Sequence, residues 1–432
     1  MNPHTPAGPE RVMPASAPGV SARMVLLLAA AIFINYVDRG NLSTAAPLLQ
    51  SELHLSNTQI GVLLSAFFWT YAPLQLLAGW MAERLDVHKV LPAGLALWSV
   101  ATMLSGVAGS FMVLLGLRLV LGLGESVVYP CHGKLLGLRA KEHQRGTANG
   151  VTSAGQALGP AFGTLIGGLV MAHYGWRVVM LGFGALSLLW LWPWIASTKG
   201  APSTVAEAGG GSAPSYAMIL RRRAARGCCL GHFCSNYTLY FVLGWLPLFL
   251  VKSRGFSLTE MSKIGATVYG VYALSCALAG WASDRWLLAG RTTNFARKTF
   301  MVGGTLGTAA CLLLTANATP GMTIVWLLCM AVFLGLYTPM IFTIPQALAG
   351  PRAAGQWMGL QNFFGNLAGI LGPILTGILV DHSGGFSYAF IVAAAISMTG
   401  ALAFGLIVPR IETLDWSVNN PGVSLPRNPA RA

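Results

Sequence analysis

The sequence predicts an all-α integral membrane protein, with twelve transmembrane helices in two pseudo-symmetric six-helix bundles. Three observations predict it. Of 432 residues, 54% are hydrophobic and only 9% charged, where soluble domains carry about 25% charged residues. Apolar runs of about 20 residues, the length that crosses a bilayer, recur along the whole chain. The two halves also repeat each other. Asn35-Tyr36, Gly79-Trp80 and Glu83-Arg84 recur as Asn236-Tyr237, Gly280-Trp281 and Asp284-Arg285, each at an offset of 201. Gly163, Gly168, His173 and Gly175 recur as Gly372, Gly377, His382 and Gly384, each at an offset of 209. Matches in order at one offset point to duplication of a six-span unit.

Residues 1–22 are rich in Pro, Ala and Gly. They lack the charged-then-apolar order of a signal peptide and read as a disordered cytoplasmic tail. The first bundle, 23–197, holds spans at 24–47, 58–82, 89–108, 111–133, 148–172 and 177–197. A linker, 198–226, opens with Gly, Ser, Ala and Pro and ends in the basic cluster Arg221, Arg222, Arg223 and Arg226, a topology anchor beside anionic lipid. The second bundle, 227–409, holds spans at 228–250, 261–283, 298–316, 321–348, 355–380 and 387–408. Gly, Pro and polar residues interrupt the seventh, ninth and tenth spans. A cytoplasmic tail, 410–432, follows. The 52 glycines and 23 prolines suit membrane helices, where Gly permits close approach.

The formal charge of +14 is a topology signal, because the basic residues sit mostly in short loops. With both termini on one side, that side carries 21 of the 27 Lys and Arg, and the other only Arg177, Lys252, Arg254 and Lys263. The positive side is cytoplasmic. No nucleic-acid partner is expected. The seven cysteines form no CxxC, so neither a disulfide framework nor a zinc site is expected. The eight histidines show no HExxH spacing, and no cofactor, metal or enzymatic activity is expected. His132 could sense pH but is more readily a local hydrogen-bonder. The expected setting is a monomer in the cell membrane.

Few ionisable residues remain deep in the spans: Asp38, Arg39, Arg118 and Glu125. Each costs about 2.5–3.5 kcal/mol at the centre of a membrane helix. They could simply join two helices, but buried pairs stabilise poorly compared with apolar packing. Function is the better account. Arg118 and Glu125 are seven residues apart, on one face and about 10.5 Å apart along the axis, so they do not neutralise each other. Asp38 and Arg39 project about 100° apart. Each needs a partner on another helix, and the expected pairs are Asp38 with Arg118 and Arg39 with Glu125.

The loop GWMAERLDVHK (79–89) and its echo GWASDR (280–285) resemble the loops between helices 2 and 3, and 8 and 9, of the major facilitator superfamily. INYVDR (34–39), LLGLRLVLGLGES (114–126), TSAGQ (152–156) and NFFGNLAGI (362–370) resemble the anion:cation symporter family, which includes bacterial galactonate, glucarate and hexuronate transporters and vesicular glutamate transporters. The likeness covers nearly the whole chain. It implies the major facilitator fold and proton symport of a small organic anion. It also implies that Gly79, Glu83, Arg84, Asp284 and Arg285 lock the inner helix ends. By the same likeness, Arg39 contacts a substrate carboxylate, Asp38 and Glu125 carry protons, and Arg118 couples them. Tyr36, Tyr71, Gln75, Gln156, Asn362 and Asn366 match family positions, where they orient substrate or bond between helices. Tyr240 and Trp245 close over the ligand or pack as core. The sequence has Glu83 where the family usually has Asp, Asp86 where it has Gly, and Gly244 where it often has a hydroxyl residue. Sodium coupling, anion exchange and an aromatic carboxylate are the alternatives within transport. A membrane receptor is the alternative outside it. A bacterial inner membrane follows from the resemblance.

Overall fold

The structure is a computed structural model and describes residues 19–55, 57–207, 213–383 and 385–416. The expected tails fall outside the described residues up to 18 and from 417, as does the stretch 208–212 of the linker. Among the described residues, ten helical stretches are long and apolar enough to cross a membrane. One of them, Glu142–Thr198, has 57 residues, about 85 Å of straight helix against an apolar core of about 30 Å. It breaks at Gly175, where φ is 78° and ψ 165°, a left-handed step open to glycine. It therefore makes two crossings. Arg223–Leu248, with 26 residues, is long enough for another, but arginines, a histidine and an asparagine dilute its apolar run. Among the described residues the bundle has twelve crossings.

In chain order these are α1 (Ala22–Leu53), α2 (Asn57–Arg84), α3 (Val87–Ser105), α4 (Phe111–Arg139), α5 (142–174) and α6 (176–198). The second half follows with α7 (Arg223–Leu248), α8 (Leu258–Leu288), α9 (Thr293–Ala316), α10 (Pro320–Ala349), α11 (Ala354–Ser383) and α12 (Ser387–Leu402). Polar side chains start several of them. Asp86 accepts from His88 N at 3.2 Å, Ser110 from Val113 N at 3.4 Å and Thr292 from Phe295 N at 3.2 Å. Ser257 and Glu260 form a capping box. Each satisfies an amide that has no helical partner.

The described part of the linker packs on the bundle. It carries two short helices, Thr204–Glu207 and Tyr216–Arg221. Thr204 Oγ1 accepts from Val87 N at 3.1 Å, Glu207 pairs with Arg139 at 2.7 Å, and the Tyr216 hydroxyl donates to the Leu76 carbonyl. The basic cluster at 221–226 straddles the start of α7. Beyond α12, Thr413 Oγ1, Leu414 N and Trp416 Nε1 donate to the carbonyls of Ala347, Leu348 and Ala349 at 3.0, 2.8 and 2.9 Å. A distant segment thus satisfies the orphan carbonyls at the end of α10.

The halves meet at two glycine crossings related by the repeat. At Gly79 on α2, an added Cβ would lie 3.1 Å from the Gly355 carbonyl and the Gly359 Cα of α11. At Gly280 on α8, it would lie 2.2 Å from the Gly146 carbonyl of α5. Only glycine allows this approach. One turn on, the acids bind the facing helix. Glu83 Oε1 accepts from Gly355 N at 2.7 Å and Gln356 N at 3.2 Å, and its other oxygen pairs with Lys134 of α4. Asp284 accepts from Gly146 N at 3.0 Å and Thr147 N at 2.6 Å, and pairs with Arg297 at 2.7 Å. Asn149 of α5 adds bonds to Gln346 and Thr343 of α10 at 2.8 and 3.0 Å. These hydrogen bonds between the halves lie on the side of the linker. On the opposite side, Glu52 binds Trp176 Nε1 at 2.6 Å and Arg177 at 2.8 Å, a tie within the first half.

Candidate functional site

Above the closed side lies a cavity of about 340 Å³ between the halves. Tyr36, Arg39, Phe67, Phe68, Arg118 and Pro160 line it from the first half, and Tyr240, Leu243 and Tyr269 from the second. Arg39 is its centre. Its Nε donates to Glu125 Oε2 at 3.0 Å, with the glutamate side chain fully buried. Its guanidinium carbon lies 4.6 Å from the Tyr36 ring centre, 4.8 Å from Phe67 and 4.4 Å from Tyr71. Three ring faces hold the cation in place, each worth about 0.5–2 kcal/mol depending on desolvation. Among the described residues, Nη2 of Arg39 and Oε1 of Glu125 have no hydrogen-bond partner.

The expected Arg39–Glu125 pair is therefore formed, and the expected Asp38–Arg118 pair is not. Asp38 is buried. Its Oδ1 accepts from Asn41 Nδ2 at 3.3 Å, and its carboxylate lies beside Trp98 of α3. The reason is angular. With Arg39 facing the cavity, its neighbour on α1 is turned about 100° away. Arg118 lines the cavity and makes no ion pair among the described residues, yet its charge is felt by both Asp38 and Glu125. The four groups form one electrostatic cluster with a single closed pair.

The remaining expected residues fall into two layers. Tyr36, Tyr71 and Tyr240 surround Arg39, with Tyr240 edge-on to Phe68 at 5.9 Å. The Tyr240 hydroxyl donates to Asn366 Oδ1 at 2.9 Å, and Asn366 Nδ2 to the Asn362 carbonyl at 2.8 Å. Gln75, one turn along α2 from Tyr71, is fully buried with no protein partner for its amide. Gln156 Oε1 accepts from the Tyr129 hydroxyl at 2.8 Å. Trp245 lies away from the cavity, in an apolar cluster with Phe241, Phe249 and Phe390, which favours the core alternative for it. His132 is fully buried beside Thr152, at 3.2 Å, with its ring edge-on to Phe342. Gly79, Glu83 and Asp284 lie at contacts between the halves. Arg84 and Arg285 lie on the outer surface. They point outward over Trp80 and Trp281, at 5.0 and 5.5 Å.

Sequence reasoning passed over Tyr129, Phe67, Phe68 and Phe342. Tyr129 is the connector. Its hydroxyl reaches Gln156 and, at 3.4 Å, the Tyr36 hydroxyl, while its ring stacks on Phe342 of the other half at 5.0 Å and 16°. One signal was available: Tyr129 follows Glu125 by four residues, on the same helix face.

A sequence profile of the Major Facilitator Superfamily matches residues 28–293 and 287–425. The chain is 31% identical to a probable sulfoacetate transporter of Cupriavidus necator, over 89% of this chain and 92% of that one. It is 30% identical to a hexuronate transporter of Bacillus subtilis, over 88% and 93%, and 28% identical to a D-galactonate transporter of Escherichia coli, over 88% and 94%. Among solved structures, the proton:xylose symporter XylE superposes with a TM-score of 0.74 at 15% identity, over 90% of this chain and 96% of that one. The transporter FucP superposes at 0.71 and 14%, over 88% and 97%.

Proposed function

Because the chain belongs to the major facilitator superfamily and is a multi-pass membrane transporter, we propose that it imports a small organic anion together with protons, by alternating access of the cavity around Arg39. The observation that carries this reading is the buried Arg39–Glu125 pair at the wall of that cavity. A substrate carboxylate takes the place of Glu125 on the guanidinium. Glu125 is then left without its cation in a dry site, where a bare charge costs several kcal/mol, and it takes up a proton. Asp38, beside the same cluster, is the second proton carrier. Arg118 senses both charges and couples them.

With the charges neutral, the second half can close over the substrate through Tyr240 and Tyr269. The lock on the linker side then opens. Tyr129 supports the link between the two events, because it touches Tyr36 in the site and Phe342 in the other half. The positive-inside pattern supports a cytoplasmic linker and cytoplasmic termini, in a bacterial inner membrane if the source is bacterial. Two protons with a monoanion carry in one net charge, which gains about 2.3 kcal/mol per 100 mV. The relatives named above are a probable sulfoacetate transporter, a hexuronate transporter and a D-galactonate transporter, and a carboxylate or sulfonate of that size suits the cavity. A second reading, an aromatic carboxylate, is favoured by the Phe67, Phe68 and Tyr240 rings that face it.

Glu125→Gln and Asp38→Asn test the proton roles. Both variants should lose accumulation driven by a proton gradient and keep counterflow exchange, which needs binding and gating but no proton cycle. Accumulation at the native level by both variants would remove these residues from coupling.

A further inference from the structure

Arg285 was expected in the lock between the halves, and the structure leaves it outside, making no ion pair among the described residues. It stands at the end of a second feature. An apolar groove of about 260 Å³ runs along the outer face of α8, α9 and α10, with a floor of Val271, Ser275, Leu278 and Ala282 and walls of Phe300 and Val332. The floor residues follow one another at steps of three and four, which is one helix face. The next step on that face is Arg285. Leu274 and Leu278 are 61% and 54% exposed, so the groove faces the bilayer.

At its linker-side end the groove meets a patch of aromatic and basic residues. The Trp286 ring packs on Phe300, the groove wall, at 5.0 Å and stacks on Phe295 at 5.6 Å. Arg285 lies over Trp281 at 5.5 Å, and Arg291 over Phe295 at 5.5 Å. Both arginines are exposed. Tryptophan settles at the headgroup level of a membrane, and each arginine near an anionic surface contributes about 1 kcal/mol of attraction. An apolar trough that ends in two aromatic-stacked guanidinium groups matches a molecule with an acyl chain and an anionic head.

We propose that this groove is a binding site for one anionic phospholipid in the leaflet on the linker side. The acyl chain lies between α8 and α10, and the phosphate is held by Arg285 and Arg291. The site is independent of the transport reading. Within Asp284-Arg285 the acid faces inward to hold α5, and the arginine, at the end of the groove, faces outward to hold lipid. A lipid bound here sits on α8 directly behind the Gly280 crossing, where the halves must part.

Native mass spectrometry of the full-length protein in detergent tests this, with dioleoyl phosphatidylglycerol and dioleoyl phosphatidylcholine added at equal concentration. The wild type should retain phosphatidylglycerol in preference to phosphatidylcholine. Arg285→Gln with Arg291→Gln should reduce that preference by about thirtyfold. Ala282→Phe, which fills the groove and keeps both arginines, should reduce it as well. Arg84→Gln, an outward arginine on the other half, should leave it unchanged. Three results would overturn the proposal: full retention by the double variant, an equal loss in Arg84→Gln, or a second copy of the chain seated at the groove in place of lipid.

Discussion

Arg39 carries the account at the scale of single residues. It meets Glu125 through one nitrogen and three aromatic faces through its plane, so the shape of the group matters as well as its charge. Lysine keeps the charge and loses the flat fork and the stacking surface. Arg39→Lys is expected to cut initial uptake by at least about tenfold, the equivalent of one or two lost ring contacts; uptake within twofold of wild type would show that charge alone suffices. Asp38, Arg39, Arg118 and Glu125 were legible in the sequence because charge inside an apolar run is rare and costly. Their pairing was only half legible. Helical spacing fixed that Asp38 and Arg39 diverge, but not that Asp38 would settle beside Asn41 and Trp98. Tyr129 and Phe342 were not legible, since an aromatic residue in a membrane helix has the same hydropathy whether it stacks between halves or faces lipid.

At the scale of elements, helix positions followed from apolar runs, and helix ends did not. α1 continues to Leu53 and α5 begins at Glu142, several residues beyond the apolar spans, because the outer turns are polar and project past the hydrocarbon. These turns carry contacts that can be tested. Glu52, at the outer end of α1, accepts from Trp176 and pairs with Arg177, and these bonds hold its carboxyl below the ordinary carboxylate range. Stability from this tie is present above the ordinary value and is lost as pH falls through the lowered one. Glu52→Gln should therefore lower the thermal midpoint in detergent at pH 7, with the difference from wild type shrinking as the pH falls below the ordinary carboxylate range. A difference that stayed constant with pH would contradict the tie. On the linker side, Asp284 holds two amides of α5 and the Arg297 guanidinium. Asp284→Asn weakens charge-assisted bonds and should open the lock. A cysteine introduced at Ala354, now buried, should label several-fold faster from the linker side in that background. Unchanged labelling would mean that Asp284 does not hold the two halves together.

For the whole molecule, the duplication was the most informative feature of the sequence, and the structure gives its physical content. Gly79 and Gly280, related by the offset of 201, make equivalent crossings, and Glu83 and Asp284 make equivalent bonds to the start of the facing helix. The motif residues Arg84 and Arg285 are equivalent too, but on the outside. A repeat shows that two positions correspond; it does not say which way they face, and so the inward acids and the outward arginines could not be separated beforehand. The linker was invisible to hydropathy for a related reason, since its bonds to Val87, Arg139 and Leu76 depend on the assembled bundle. The hydrogen bonds of Glu83, Asp284 and Asn149 join the halves on the linker side, and the charge cluster lies at the cavity between them. The direct measurement is uptake of a labelled panel of sugar acids, sulfonates and aromatic carboxylates into proteoliposomes, with an inward proton gradient and with the gradient collapsed. The account predicts that at least one of these anions accumulates above its equilibrium level only while the gradient is present. Uptake of that anion to the same level in both conditions would contradict proton coupling and leave a facilitator or exchanger.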